Sequence, residues 1–382
     1  MVPRLEYKES KDSDHESVWW FLEKSLQQHK APILESLSIK LDQRCPIDAD
    51  VKKWIANAVD RRVCMLNLIL MWSAAPIDLP ASLYTCETLV ELNLCREILL
   101  DVPSSVCLTS LKKLYLSGLM YKDEVSAVRL LSSCPVLEQL SVSRSRNDNV
   151  TNFIVEVPSL KNLLYSKERS DNVSDIGDTG GSLVIDCPAL KDLFILDSTG
   201  GSCSSRNMPC LDRVLISTVW YPDEKFLIPF SSITCLKLCM THAMVDVSAP
   251  RTFVFYFVIT LAHLLMLMYT SQVDCCSAVY FPRLTVLNIW PLDTDWMEPL
   301  LLLLKNSPIL KNILITNEFK WLAYRGRTEE KEFATYILGN SKCLKYAEFL
   351  ISCNNLEKKT KIREDLNSMS RVSTSKLKVL RD

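Results

Sequence analysis

Aliphatic residues recur along this chain in a short motif of fixed spacing, with apolar residues at positions i, i+3 and i+5. The clearest copies are Leu34/Leu37/Ile39, Leu89/Leu92/Leu94, Leu111/Leu114/Leu116, Leu137/Leu140/Val142, Leu190/Leu193/Ile195, Ile233/Leu236/Leu238, Leu284/Leu287/Ile289 and Leu310/Ile313/Ile315, and weaker copies begin at Leu160 and Leu211. Side chains alternate sides along a strand, so positions i+3 and i+5 share one face. Each copy therefore predicts a short strand with that face buried.

The copies are spaced almost evenly. From Leu89 to Ile233 they begin every 21 to 30 residues, and the longer interval after Leu34 contains a further predicted strand within Val63–Leu70. A unit of this length cannot bury its apolar face alone, whereas stacked units share one continuous core. The spacing therefore predicts an α/β fold, a leucine-rich-repeat solenoid with a curved parallel sheet.

Prolines and helical segments separate the predicted strands. Because proline lacks an N–H and fixes φ, it belongs at a corner before a strand. Such prolines precede several copies, at Pro32, Pro135, Pro158, Pro188, Pro209, Pro282 and Pro308. The segments Lys122–Ser133 and Trp296–Asn306 are predicted helices, and we expect helices of this kind on the convex side of the sheet.

The composition excludes several classes of function. Hydrophobic residues make up 48% of the chain, which is enough for a large core. The 44 Lys and Arg residues are balanced by 45 Asp and Glu residues, so there is no overall basic excess for binding nucleic acid. Only 8 glycines are present, which disfavours folds that depend on glycine-rich phosphate loops.

The chain contains 15 cysteines, an odd number, and its polar start has no secretory leader. We therefore expect reduced, mostly buried thiols in a protein of the cytoplasm or the nucleus. The sequons at Asn149 and Asn172 are then not expected to be glycosylated.

No constellation of residues indicates catalysis or metal binding. The segment Gly177–Ser182 is similar to the Gly-Asp-Ser-Gly-Gly motif of trypsin-like proteases, but Thr179 occupies the nucleophile position, which favours a loop between repeats. The histidines do not pair at metal-ligand spacing, and no Cys-x-x-Cys occurs; the four are His15, His29, His242 and His263. We expect a protein that is not an enzyme and has no cofactor, catalytic residue or metal site.

The segment Phe253–Tyr269 interrupts the period with seventeen residues that carry no formal charge. A membrane-spanning helix usually needs about 20 apolar residues, and repeats flank this segment on both sides. We favour a buried or irregular repeat and no membrane span. A membrane segment and an error in the gene model are the alternatives.

The C-terminal region has a different pattern. Thr328 and the acidic residues after it predict a helix start, Phe333, Ile337 and Leu338 form one apolar face, and Gly339-Asn340 predicts the helix end. A strand within Cys343–Ile351, a helix at Leu356–Met369 and a strand at Ser375–Leu380 are predicted to follow. The sequence therefore predicts a small α/β module after the repeats.

This module resembles the FBD domain found at the C-terminus of many plant F-box proteins. The matching features are Phe319-Lys-Trp321, Tyr324-Arg-Gly326, Glu329-Glu-Lys331, Tyr336-Ile-Leu338, Asn340 with Cys343-Leu344, and Arg371-Val-Ser-Thr-Ser375. The Trp/Pro-rich stretch that usually precedes this core is shortened here.

At the N-terminal end of the chain, Val2-Pro-Arg-Leu-Glu-Tyr7 is similar to the segment that follows an F-box in such proteins, and His15–Gln28 resembles the helix that comes next.

The chain as a whole resembles a plant F-box/FBD/LRR-repeat protein whose F-box is missing. We therefore expect a remnant and connecting helix at 1–30, the solenoid at 31–318 and the FBD domain at 319–382. The resemblance implies the substrate-recognition subunit of an SCF-type E3 ubiquitin ligase, whose repeats bind a target protein. Binding to a Skp1-type adaptor is expected only if an F-box is restored. The alternative is an F-box-less interaction protein that does not engage the adaptor.

Position i+4 of each copy predicts the row of side chains on the concave face. Most members of the row are polar, namely Ser38, Asn93, Tyr115, Ser141, Lys237 and Asn288, and the apolar members are Leu164, Phe194, Leu215 and Leu314. Leu164, Phe194 and Leu215 fall in consecutive repeats and predict an apolar patch that binds a protein partner. The alternative is a register error of one residue, which would place these three side chains in the core.

Overall fold

The computed structural model describes most of the chain. The described residues are 4–8, 24–26, 28, 32–42, 50–71, 76–145, 148–167, 181–197, 202–217, 227–240, 280–291, 300, 303–310, 312–315, 318–340, 346–351, 355–370 and 376–380. They fall into two compact units, Met1–Cys210 and Leu211–Asp382.

The first unit is built mainly of short strands. In chain order its elements are β1 (Arg4–Lys8), β2 (Ser36–Leu41), α1 (Val51–Asp60), β3 (Met65–Leu70), β4 (Ile77–Asp78), a 3₁₀ helix (Ala81–Thr85), β5 (Glu91–Arg96), β6 (Ile98–Leu100), β7 (Lys113–Ser117), β8 (Met120–Tyr121), α2 (Glu124–Ser132), β9 (Gln139–Arg144), β10 (Asn152–Glu156), β11 (Asn162–Lys167), β12 (Ser182–Asp186), β13 (Asp192–Asp197) and β14 (Ser202–Arg206). Eight of them form the main sheet in the order β1-β2-β3-β5-β7-β9-β11-β13. All of these pairs are parallel, which confirms the predicted stack.

Position i+3 of the motif forms an unbroken column of leucines through this sheet. The members are register partners in succession: Leu37, Leu66, Leu92, Leu114, Leu140, Leu163 and Leu193. Each is at most 2% exposed. Burying a leucine contributes roughly 1.5–3 kcal/mol, and each leucine is covered largely by the neighbouring repeats. The spacing in the sequence is therefore the direct cause of the shared core.

The corners before the strands are stacked as well. At position i+1 each backbone N–H donates to the carbonyl of the equivalent residue one repeat earlier. The bonds are 2.8 to 2.9 Å long and join Val90 to Cys64, Lys112 to Val90, Glu138 to Lys112, Lys161 to Glu138, and Lys191 to Lys161. Because these bonds continue the strand ladder into the corner, they fix the register of one repeat on the next.

Outside the main sheet, the first unit contains fewer helices than strands. The predicted helix at Lys122–Ser133 is confirmed as α2, and α1 begins at Asp50, whose Oδ1 accepts a hydrogen bond from Lys53 N at 3.0 Å. Elsewhere two three-stranded parallel sheets complete the first unit, β4-β6-β8 and β10-β12-β14. These strands follow from local alternation, as in Asn152–Glu156, where Phe153 and Val155 are buried between less buried neighbours.

The second unit contains further motif strands and the C-terminal module. Its elements are β15 (Arg213–Ser217), a 3₁₀ helix (Ile228–Phe230), β16 (Cys235–Met240), β17 (Val286–Pro291), β18 (Asn312–Ile315), β19 (Glu318–Tyr324), α3 (Thr328–Asn340), β20 (Tyr346–Ile351), α4 (Leu356–Ser368) and β21 (Lys376–Leu380). Strands β15 to β18 pair in parallel in sequence order, and β19, β20 and β21 form a separate parallel sheet. The predicted elements of the module are therefore confirmed, with ends shifted by a few residues.

The Tyr324-Arg-Gly motif forms the corner between β19 and α3. Glu330 Oε2 accepts hydrogen bonds from the backbone N–H groups of Arg325 and Arg327, both at 2.9 Å. Gly326 has φ +67°, and a Cβ placed on it would lie 2.7 Å from Ile362 Cγ1 of α4. The glycine is thus required both by its backbone conformation and by the close approach of α4.

Some predictions fall outside the described residues. The whole of Phe253–Tyr269 does, as does most of His15–Gln28, of which Lys24–Leu26 and Gln28 are helical. Within the described parts of the chain, no helix has the length and apolar character of a membrane span. The divisions at residues 30 and 318 stay predictions, although Arg4–Lys8 forms a strand of the main sheet that was not predicted.

Candidate protein-interaction face

The main sheet of the first unit has one side that faces away from the leucine column, and we call this side the open face. One row of side chains crosses its centre, one residue from each strand. In register order this central row is Glu6, Ser38, Asn67, Asn93, Tyr115, Ser141, Leu164 and Phe194. All eight side chains are half-buried or exposed. The row is the surface that the i+4 positions predicted.

Leu164 and Phe194 lie side by side on the open face as register partners. Leu164 is 40% exposed, whereas Leu163 and Tyr165 on either side of it are 2% and 1% exposed. Phe194 is half-buried. The structure thus excludes the alternative that a register error hides these two residues in the core. Their role in binding stays a prediction.

Two details differ from the predicted patch. Leu196, which was not predicted, lies half-buried two residues beyond Phe194 on the same side of β13. Leu215 belongs to the second unit, where it is half-buried and is the register partner of Lys237. Asn288 and Leu314 are at predicted row positions, but their side chains lie outside the described ones. The apolar patch of the first unit is therefore Leu164, Phe194 and Leu196.

Small hydroxyl side chains lie beside this apolar patch. Ser117, Ser143 and Ser166 are register partners on β7, β9 and β11, and Ser141 lies between Tyr115 and Leu164 in the central row. All four serines are half-buried. Because Tyr115 and Leu164 are two strands apart, their backbones are separated by about 10 Å. The serines form the floor of this gap, and the larger side chains stand on either side of it.

The other half of the central row carries amide and hydroxyl groups. Asn67 Nδ2 donates to Ser38 Oγ at 3.0 Å. Asn67 Oδ1 is enclosed yet accepts no hydrogen bond from the described residues. Across the same described residues, the side chains of Asn93 and Tyr115 form no hydrogen bond either. The side chains of Asn93 and Tyr115 therefore remain able to bond to a partner, whereas the enclosed Asn67 Oδ1 does not.

Two lysines meet at the first edge of the open face. Lys8 and Lys40 are register partners on β1 and β2, and in the described parts of the chain neither forms an ion pair. Like charges directly opposite each other on adjacent strands are unfavourable. Farther along, Lys113 on the same face is paired with Glu91 at 3.3 Å. The uncompensated positive charge of the open face is therefore at the β1–β2 edge.

A charged cluster lies in the core behind the apolar patch. Arg144 Nε and Nη2 donate to the two carboxylate oxygens of Asp148 at 2.6 and 2.5 Å, with the side chains 1% and 2% exposed. The guanidinium also donates to Tyr165 Oη at 3.2 Å and to the carbonyl of Val150. It lies 5.5 Å from the centre of the Phe153 ring. The cluster ties β9 to β11 at the ends of these strands.

The electrostatics of this cluster favour the charged guanidinium. Burial alone would lower the pKa of Arg144, but the hydrogen bonds and charges of Asp148 and Tyr165 outweigh burial and raise it. Burial raises the pKa of Tyr165, although Arg144 opposes this shift. Tyr165 therefore stays a neutral phenol that accepts a hydrogen bond from Arg144, whose guanidinium stays charged.

The described residues hold no candidate metal site. No cluster of three or more potential metal ligands occurs among them, and all four histidines lie outside them. Of the Gly177–Ser182 segment, only Gly181 and Ser182 are described. Gly181 has φ +55°, and a Cβ on it would lie 2.1 Å from the carbonyl oxygen of Thr151. This glycine permits the tight entry into β12.

Asn149, the first sequon asparagine, has a structural role. Its Oδ1 accepts from Tyr121 N at 3.0 Å and its Nδ2 donates to the carbonyl of Tyr121, so that the amide pairs with the backbone of β8 like a further strand residue. A glycan on Nδ2 would disrupt this pairing. That the sequon is not glycosylated stays a prediction.

The described cysteines are free thiols. Three are buried (Cys86, Cys134 and Cys187), two are exposed (Cys107 and Cys210), and the other four are half-buried. The expectation of mostly buried thiols is therefore wrong for this part of the chain. The cause is that several cysteines occupy corners and open-face positions, such as Cys95 on β5, rather than core positions.

Comparisons with known proteins agree with this architecture. A family model for the LRR repeats of FBD-associated F-box proteins matches residues 51–210, and the FBD model matches residues 317–349. An Arabidopsis thaliana protein named as an F-box/FBD/LRR-repeat protein is 42% identical over 98% of this chain and 82% of its own length. A second protein of this description from the same plant is 40% identical over 99% of this chain and 87% of its own length. No solved structure matches.

A further Arabidopsis thaliana protein, also named as an F-box/FBD/LRR-repeat protein, is 30% identical over 98% of this chain and 89% of its own length. The similarity thus covers both the repeat strands and the C-terminal module. The chain belongs to the plant F-box/FBD/LRR-repeat family.

Proposed function

We propose that this protein acts by binding another protein, and that it serves as the substrate-recognition subunit of an SCF-type E3 ubiquitin ligase in the cytoplasm or nucleus. In this role the repeat strands bind a target protein, and a Skp1-type adaptor links the subunit to the ligase only if an F-box is restored. The observation that carries the proposal is the open face. Its central row places an apolar pair, Leu164 and Phe194, outward on a sheet whose opposite side is fully packed. The relatives' printed names associate them with an F-box, which supports the ligase role.

The target-binding part of this proposal is tested by capture from a plant extract. The purified chain is compared with Leu164→Asp and with Val125→Asp, which changes a side chain that is 53% exposed on α2. We expect a specific protein to bind the unchanged chain and Val125→Asp, and to be lost from Leu164→Asp. Equal capture by all three proteins would contradict a role for the open face.

The ligase part is tested by direct binding to a purified plant Skp1-type adaptor, measured by biolayer interferometry. The same chain with an F-box fused to its N-terminus serves as the positive control. Binding by the chain itself supports the ligase-subunit role. If the chain captures its target but does not bind the adaptor, the alternative is supported. The protein is then an LRR/FBD interaction protein that acts without the adaptor.

A further inference from the structure

We propose that the open face of the first unit binds an extended segment of the target protein, with a large apolar side chain at the Leu164 end and a carboxylate at the Lys8 end, about six to seven residues apart. The inference rests on the proposed function and adds the chemistry of the partner. It follows from the order in which apolar, neutral polar and cationic groups cross the sheet.

The apolar end has room for one large side chain. Leu164, Phe194 and Leu196 form one wall and Tyr115 the other, with the half-buried serines as the floor between them. An aromatic or long aliphatic side chain placed there removes the surface of Leu164, which is now 40% exposed, from water. A small polar side chain would leave the gap unfilled.

The cationic end selects an acidic group. Lys8 and Lys40 are register partners, so their backbones are about 4.8 Å apart and their positive charges repel each other. Glu6 lies on the same face of β1 but forms no ion pair among the described residues. A carboxylate from a partner between the two ammonium groups replaces this repulsion with two attractive interactions.

The middle of the row matches a peptide backbone. Among the residues that the structure describes, the half-buried side chains of Asn93 and Tyr115 are not hydrogen-bonded. Asn carries both an acceptor and donors, and Tyr a hydroxyl, so the row can bond to the N–H and C=O groups of an extended chain. Because the middle of the central row is uncharged, it does not select particular side chains on the partner residues that lie over it.

The spacing follows from the sheet order. The gap that receives the apolar side chain lies over β9, which is four strand intervals from β2 and five from β1. At about 4.8 Å for each interval, these distances are about 19 and 24 Å. An extended chain advances about 3.3–3.4 Å per residue, so it covers them in about six to seven residues.

The test is selection from a display library of random linear peptides about twelve residues long, with the full chain as bait. We expect the enriched peptides to carry a large apolar residue and an Asp or Glu about six to seven positions apart. Their affinity, measured by fluorescence anisotropy, should fall at least about ten-fold with Leu164→Asp and with Lys8→Glu combined with Lys40→Glu. Val125→Asp is the matched control and should have no effect. Circular dichroism melts establish that each variant is folded.

A charge exchange completes the design. Replacing the acidic residue of an enriched peptide by Lys should restore binding to the chain that carries Lys8→Glu and Lys40→Glu. Failure to enrich any peptide, enrichment without the acidic residue, or indifference to the lysine variants would overturn the inference. If the captured target protein still depends on Leu164 in that case, the proposed function stands and only the extended acidic segment fails.

Discussion

Arg144 and Asp148 form a two-point ion pair, with bonds of 2.6 and 2.5 Å, although both side chains are almost completely buried. The pair occupies the end of β9, where the equivalent positions of β2 and β3 hold Leu41 and Leu70 in the core. A buried charge is costly unless it is paired and hydrogen-bonded, and here each guanidinium nitrogen has an acceptor.

Removing one partner should therefore destabilise the first unit strongly. Asp148→Ala leaves the Arg144 charge buried without its counter-ion, and we expect β9 and β11 to lose about 3–5 kcal/mol of local stability. Hydrogen exchange of the amides in these two strands measures the loss.

The exposed pair of Lys113 and Glu91 is the matched control, because its side chains are 43% and 34% exposed. Glu91→Ala should cost at most about 1 kcal/mol. A similar loss of stability for Asp148→Ala and Glu91→Ala would show that the buried pair of Arg144 and Asp148 stabilises the stacked repeats no more than an exposed ion pair does.

Gly326 should tolerate no side chain. In Gly326→Ala the new Cβ meets Ile362 Cγ1 at 2.7 Å and the residue is held at φ +67°, so we expect the C-terminal module to lose about 1–3 kcal/mol. Gly339→Ala is the matched control, since this glycine is inside α3 and the nearest atom, Ser370 O, is 4.0 Å from the added Cβ. It should be neutral or stabilising by up to about 1 kcal/mol. Thermal melts of the two variants give the comparison, and equal effects would contradict the role of Gly326.

The cysteines should differ sharply in reactivity. Burial raises the pKa of Cys134 to about 12 and that of Cys187 to about 11. At about pH 8 we expect iodoacetamide to modify the exposed Cys107 and Cys210 and to spare the two buried thiols until denaturant is added. Peptide mass spectrometry identifies the modified residues. Rapid native labelling of Cys134 would contradict its burial just after the end of α2.

The same thiols predict a loss of stability in alkali. Their pKa values are raised on folding above the ordinary value of about 8.5, so the unfolded chain releases these protons first as the pH rises. The stabilisation is complete below about pH 8.5 and is lost progressively towards pH values of about 11 to 12. A chain with Cys134→Ala and Cys187→Ala should show a shallower fall in melting temperature above about pH 9. An unchanged slope would assign the alkaline loss to other groups.

The motif strands were predictable because one repeat unit determines them. The i+3 leucines, such as Leu92 and Leu114, are buried register partners because the spacing carries the packing pattern directly. β1 was missed, although Leu5 and Tyr7 occupy the register positions of Leu37 and Ile39, because it lacks the leading leucine and the corner. The only indication of β1 in its local sequence was a short alternation of charged residues with Leu5 and Tyr7.

Contacts between repeats were less predictable. The ion pair joins Arg144 to Asp148, which lies beyond the end of β9, and the repeat motif does not specify this residue. The apolar patch includes Leu196 because β13 has a leucine at a register position where β9 and β11 have Ser143 and Ser166. The strands outside the main sheet were not predicted either. Strands such as β10 and β12 are so short that an alternation of apolar and polar residues does not distinguish them from loops.

The central claim is that the repeat motif places neighbouring leucines on opposite sides of one sheet, and Leu163 and Leu164 test it most directly. Leu163→Asp puts a carboxylate into the core and should abolish the cooperative melt of the first unit, a loss of more than about 4 kcal/mol. Leu164→Asp should change stability by less than about 0.5 kcal/mol and abolish target binding. Thermal melts of the two variants with the unchanged chain are the measurement. Equal destabilisation by both substitutions, or tolerance of Leu163→Asp, would contradict the account.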